Sequence, residues 1–207
     1  NGACKAKNWD IVHYFVENYL EHINPNEYYE NILHHMARIY HGDINLFSKI
    51  AAHSEDPNNN RAKNNKTTLQ MALIHGNTEI AIFLFKNYKK HIKNCNFLFA
   101  ETAQGGSVPA LLCAIDEGFI PNWQEEIEKF YRHKKFGNIV PLQLAVYFQH
   151  VEMVTFLLNN GAKISTHIPD SPTVLHYACR PRTSKHRITE PIEILELLLN
   201  SPNFSDK

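Results

Sequence analysis

The sequence predicts an all-α fold of stacked helix–turn–helix units with connecting hairpins and loops, and three observations lead to it. The first is Val140 to Ser165, "VPLQLAVYFQHVEMVTFLLNNGAKIS", where Leu142, Leu144 and Ala145 share one helical face and Val151, Val154, Leu157 and Leu158 share a second. Gly161 closes it where a left-handed residue ends a helix. The second is that Thr67 to Tyr88, "TTLQMALIHGNTEIAIFLFKNY", matches that stretch position for position: Leu69 with Leu142, Ala72 with Ala145, Glu79 with Glu152, Leu84 with Leu157. The third is a run of alanines, Ala37, Ala72, Ala114, Ala145 and Ala178, spaced by 35, 42, 31 and 33 residues. A small residue belongs where neighbouring helices pack closely.

Taken in order, the elements follow this template. "NWDIVHYFVENY", Asn8 to Tyr19, mirrors Asn77 to Tyr88 and reads as the outer helix of a partial unit. Ile32 to Ile50 is a looser helix pair, and Thr67 to Tyr88 a clear one. "PALLCAIDEG", Pro109 to Gly118, opens a further copy, with its second helix expected over Trp123 to Arg132. Val140 to Ser165 is followed by Thr173 to Asn200, with about eight extra residues between its helices. Three stretches exceed what the units need and read as loops: His53 to Lys66, His91 to Ser107 and Arg180 to Thr189.

Composition narrows the class of work. The 207 residues hold 43% hydrophobic side chains, enough for a packed core. Twenty-one Lys and Arg balance 21 Asp and Glu, which argues against a nucleic-acid backbone as partner. No apolar run reaches membrane-span length, and no apolar core of the signal-peptide kind follows Asn1-Gly2-Ala3-Cys4-Lys5. The lack of an initiator Met leads to the expectation of a longer parent protein. Cys4, Cys95, Cys113 and Cys179 form no CxxC pair, which suits reduced thiols in a cytoplasmic or intracellular setting.

A period near 33 residues, a T-x-L-H-x-A opening at "TVLHYA" and a closing L-L-x-x-G-A at "LLNNGA" resemble the ankyrin repeat. The resemblance implies an ankyrin-repeat solenoid forming one domain over 1–207. It has a partial capping repeat at 3–31 and repeats at about 32–66, 67–107, 108–139, 140–172 and 173–207. The copies are degenerate: Gln149 replaces the tight-turn glycine and His150 follows it. That degeneracy is similar to the repeats of bacterial or viral ankyrin effectors, which would be secreted into a host cell.

The resemblance also implies where a partner would bind, on hairpin tips and on the residues just before each inter-helix turn. Carried onto this chain, those are Ile74 and His75, Asp116 and Glu117, Tyr147 and Phe148, and Arg180, with Lys63, Asn64, Lys66, Phe136 and Ile139 on the hairpins. Phe136, Ile139, Tyr147 and Phe148 fall in one repeat at places the fold does not require to be apolar. They read either as an exposed binding patch or as residues covered by the folded-back "YRHKKFGN" hairpin. The basic loop "RPRTSKHR" adds Arg182, Lys185 and Arg187 as cations for an acidic partner.

Catalysis finds no support in the residues. His34, His35 and His41 lack a zinc spacing, so no metal and no cofactor is expected. By the resemblance, His176 hydrogen-bonds a hairpin backbone. Cys113 and Cys179 read as buried packing residues on inner helices, and Glu125, Glu126 and Glu128 as a wet helix face. The expectation is a monomeric, non-catalytic protein-interaction module that uses its concave face. The alternative is the substrate-recognition part of a larger enzyme whose catalytic domain lies elsewhere.

Overall fold

In the computed structural model the described residues are 3, 6–22, 32–58, 65–93, 96–165, 172–179 and 192–204. Their order is α1 (Trp9–Tyr19), α2 (Ile32–Ile39), α3 (Ile44–Ala52), α4 (Thr68–Ile74), α5 (Thr78–Asn87), α6 (Leu98–Gly105) and α7 (Val108–Asp116). There follow α8 (Trp123–Glu126), β1 (Tyr131–His133), β2 (Gly137–Ile139), α9 (Pro141–Phe148), α10 (Val151–Asn159), α11 (Val174–Ala178) and α12 (Ile192–Leu199). The molecule is mostly helical. Its two strands form one antiparallel hairpin in which Tyr131 faces Ile139 and His133 faces Gly137.

The helices pack in two rows. In the first, α2, α4, α6, α9 and α11 each touch the next; in the second, α1, α3, α5, α7, α10 and α12 do the same. Each first-row helix is also paired with the second-row helix that follows it in sequence. The mirror between Asn8–Tyr19 and Asn77–Tyr88 is physical. Asn8 Oδ1 accepts from the Ile11 amide at 3.3 Å, and Asn77 Oδ1 accepts from the Ile80 amide at 3.4 Å. Both cap second-row helices.

Pro109 to Gly118 does not open a first-row helix. It belongs to α7, which lies between α5 and α10 in the second row. The first-row helix of that unit is α6, inside the stretch His91 to Ser107 that reads as a loop in the sequence. The helix ends align Gly76, Gly106 and Gln149, with φ of 68°, 79° and 61°. Thr102 therefore stands where Ala72 and Ala145 stand. Thr102 is fully buried, and its hydroxyl donates to Leu98 O at 2.6 Å, so a Thr serves as the small packing residue. The helix expected over Trp123 to Arg132 ends at Glu126, and the chain enters β1 instead.

The close approach of α4 and α6 rests on Gly105. A Cβ there would lie 1.7 Å from Leu73 O and 2.7 Å from Gly76 N, both backbone atoms that cannot turn aside. Gly105→Ala is expected to destabilise the fold by about 1–3 kcal/mol through overpacking, read as a lowered melting temperature. A substitution without effect would mean that 98–105 behaves as a loop.

Candidate functional site

The residues that gather into one region come from the C-terminal ends of the first-row helices and from the hairpin before α9. Ile74 and His75 end α4, Gln104 and Gly105 end α6, and Tyr147 and Phe148 end α9. A small recess is lined by Ile74, His75, Gln104, Gly105, Phe148 and His150. Beside it, a cavity of about 450 Å³ extends under the hairpin, with Met71, Glu101 and Leu144 on successive first-row helices in its wall.

The aromatic residues are neither free nor fully covered. Phe136, Tyr147 and Phe148 are half-buried, with Tyr147 at the centre. Its ring centroid lies 4.5 Å from Phe136, 5.0 Å from Phe148 and 5.7 Å from Tyr177, all edge-on. Lys135 Nζ donates to Tyr147 Oη at 2.7 Å and sits 4.9 Å from the Tyr147 ring centroid and 5.1 Å from that of Phe136. These contacts brace the hairpin against α9. Ile139, expected in the same patch, is wholly buried beneath β1 and α9, because strand alternation turns it inward opposite Tyr131. It lies in the wall of the cavity, not on the exposed surface.

The other expected positions divide. Asp116 and Glu117 end the second-row helix α7, away from Ile74 and His75, and Glu117 is ion-paired with Lys89. Their place is taken by Gln104 and Gly105. Lys66 is part-buried and donates to Glu101 Oε1 at 3.0 Å. Lys63, Asn64, Arg180, Arg182, Lys185 and Arg187 lie outside the described residues, as do Cys4 and Cys95.

Glu101 is the residue that sequence reading missed. It occupies the wall position held by Met71 and Leu144 in the neighbouring helices, with its side chain only 7% exposed. Oε1 accepts from Lys66 Nζ and from Gln70 Nε2 at 2.9 Å, while Oε2 has no hydrogen bond. Burial pushes its pKa up, outweighing the opposing pull of Lys66 and Gln70. The adjoining imidazoles shift the other way. Burial lowers the pKa of His75, with Arg38 adding to it, and burial lowers that of His133, with Lys66 and Lys135 adding to it. Burial also raises Tyr131, whose hydroxyl donates to Glu126.

The expected structural residues are partly reassigned. His34, not His176, reaches a hairpin backbone: its Nε2 lies 3.0 Å from Lys66 O. His176 is exposed, with Nδ1 2.7 Å from the Thr173 hydroxyl that caps its own helix. Cys113 is half-buried on the second row, where burial and Glu117 push its thiol pKa up, and Cys179 is exposed. Neither is the fully buried first-row residue expected. Glu126 accepts from Lys129 at 2.7 Å and Glu128 from the Lys163 amide at 2.8 Å. Among the described residues no group of three or more His, Cys, Asp or Glu is placed to hold a metal ion.

The unit that carries Tyr147 and Phe148 is also the one that matches a known family model. Residues 138–170 match the ankyrin repeat. No curated protein matches the chain. The matched stretch starts in β2, includes α9 and α10 and ends past Gly161, so it holds Tyr147 and Phe148 of the aromatic cluster and Leu144 of the cavity wall, while Phe136 and Tyr177 lie outside it. Ankyrin repeats are general protein-interaction modules. Among the described residues no helix is long and apolar enough to cross a membrane.

The buried carboxylate has a measurable consequence. Because the folded-state pKa of Glu101 is raised, its favourable contribution is complete below the unfolded-state value of 4.5 and is lost as pH rises through the folded-state value. Glu101→Gln, which keeps an acceptor for Lys66 and Gln70, should therefore raise the melting temperature at pH 7.5 and leave it nearly unchanged at pH 4. A lower melting temperature at pH 7.5 would show that the Lys66 ion pair dominates instead.

Proposed function

We propose that this chain is a non-catalytic protein-interaction module, a single domain of stacked ankyrin repeats that holds a protein partner against the concave side of a solenoid. The helix pairs α2–α3, α4–α5, α6–α7, α9–α10 and α11–α12 serve as its units, with α1 covering one end. This assignment moves the third unit to begin before α6 instead of at residue 108. The observation that carries the reading is the half-exposed ring system of Tyr147 and Phe148, at the end of a first-row helix inside the matched ankyrin repeat. Large amphipathic rings with their outer faces in water are efficient anchors, because they supply contact area with little side-chain entropy to lose. Ile74, His75 and Gln104 extend the same surface along the first row.

A soluble, intracellular and monomeric protein suits this reading. A role as an effector in a host cell rests on the degeneracy of the repeats alone. A recognition role within a larger enzyme would use the same surface.

Tyr147→Ala/Phe148→Ala tests the anchor role. In affinity capture from cell lysate, a protein held by the native chain should be lost from this variant and retained by Glu152→Lys/Asn159→Lys, which alters exposed residues of the second row. Both rings are half-buried, so a stability loss of about 1–3 kcal/mol is expected, and the fold should persist at the capture temperature. Retention of the protein by the aromatic variant would move the binding surface elsewhere.

A further inference from the structure

The cavity of about 450 Å³ between the hairpin and helices α4 and α6 has walls of two kinds. Met71, Ile74, Phe97 and Leu144 give it apolar sides, and Arg132 and Lys134 reach it from the hairpin. Both cations are exposed, and among the described residues neither forms an ion pair with a carboxylate. The carboxylate in the wall does not answer them. Glu101 is engaged at Oε1 by Lys66 and Gln70, and its Oε2 is closed off from solvent. Burial raises the pKa of Glu101 against the opposing pull of Lys66 and Gln70. The cavity is thus an apolar slot with two unanswered positive charges at its mouth. His75 and His133 line it as well; burial lowers the pKa of His133, with Lys66 and Lys135 adding to it.

We propose that this cavity receives an acidic side chain of the protein partner, with an apolar neighbour of that residue seated between Phe97, Met71 and Leu144, and that Arg132 and Lys134 hold the carboxylate. The inference rests on the interaction-module reading and names the chemistry of the segment that is bound. A guanidinium meets a carboxylate through two parallel N–H donors, which fixes orientation as well as charge. Lys134 adds a point charge that a flexible stem can bring to the same group. The apolar walls select against a fully polar acidic chain, since its side chains would leave them unfilled.

Fluorescence anisotropy with a fluorescein-labelled peptide of alternating Glu and Leu provides the test, against a peptide of alternating Lys and Leu. The native chain should bind the acidic peptide saturably and the basic one not at all. Arg132→Glu/Lys134→Glu should weaken acidic-peptide binding by at least about tenfold and flatten its salt dependence. Lys86→Glu/Lys90→Glu, at the far end of α5 and the turn after it, should leave it unchanged. Because both hairpin cations are exposed, the fold should survive; Arg132→Gln/Lys134→Gln gives the same comparison with a milder charge change.

Equal losses in the two charge-reversed variants would overturn the proposal in favour of general attraction. Absence of saturable binding, or equal binding of the basic peptide, would overturn it outright. Full competition by inorganic phosphate at peptide-like concentrations would reassign the cavity to phosphate. If the peptide fails to bind while Tyr147→Ala/Phe148→Ala still loses a lysate protein, the cavity assignment falls and the interaction-module reading stands.

Discussion

The structure depends on how closely each first-row helix can approach the next. At the packing position stand Ala37, Ala72, Thr102, Ala145 and Ala178, all buried, and at the α4–α6 contact the backbones come near enough that Gly105 admits no side chain. Close approach lets each helix hide an apolar stripe that a lone helix pair would leave in water. It also fixes the offset between units. The C-terminal ends of α4, α6 and α9 are thereby brought side by side, and the small recess between Ile74, Gln104 and Phe148 follows from that spacing.

Polar contacts reinforce the same register. Asn77 caps α5 and also donates to Met36 O and Tyr40 O, at 3.3 and 2.6 Å, at the end of α2. His150 precedes α10 and reaches Gln104 O at 2.9 Å, at the end of α6. In each case the residue that starts a second-row helix bonds a carbonyl at the end of a first-row helix in the preceding unit. The close seating explains a local demand too. A Cβ on Gly106 would come within 2.4 Å of the His150 ring, and the φ of 79° there already favours glycine.

Much of this was legible in the sequence because period and residue type agreed. The pairs at 67–88 and 140–165, the likeness of Asn8–Tyr19 to Asn77–Tyr88, and a stop at Gly161 depend on local rules, and each has its counterpart in the structure. The third unit was misread for a specific reason. Its packing position carries Thr102, whose hydroxyl finds a partner only inside the helix, while Ala114 one helix later offered the expected residue at a plausible distance. The pair Gly105-Gly106 followed by the helix-capping Ser107 was the available signal, since it parallels Gly76-Asn77. The hairpin was less legible. Its strands are three residues long, and the burial of Ile139 depends on pairing with Tyr131, which no local pattern announces.

Glu101 shows why a site can escape a pattern built on packing. Its neighbours in the row, Met71 and Leu144, are the residues the fold calls for, and a carboxylate there lies in a setting that favours its neutral form. Position alone would count it as a flaw in the repeat. Its connections give it a different meaning: Lys66 and Gln70 belong to the preceding unit, so Glu101 links two units through polar contacts where the others use apolar ones. By holding Lys66 inward, Glu101 also takes one cation out of the cavity mouth and leaves Arg132 and Lys134 as the groups that set its sign. Glu101 is thus a departure from the repeat whose burial burdens stability while its contacts shape the charge of the cavity.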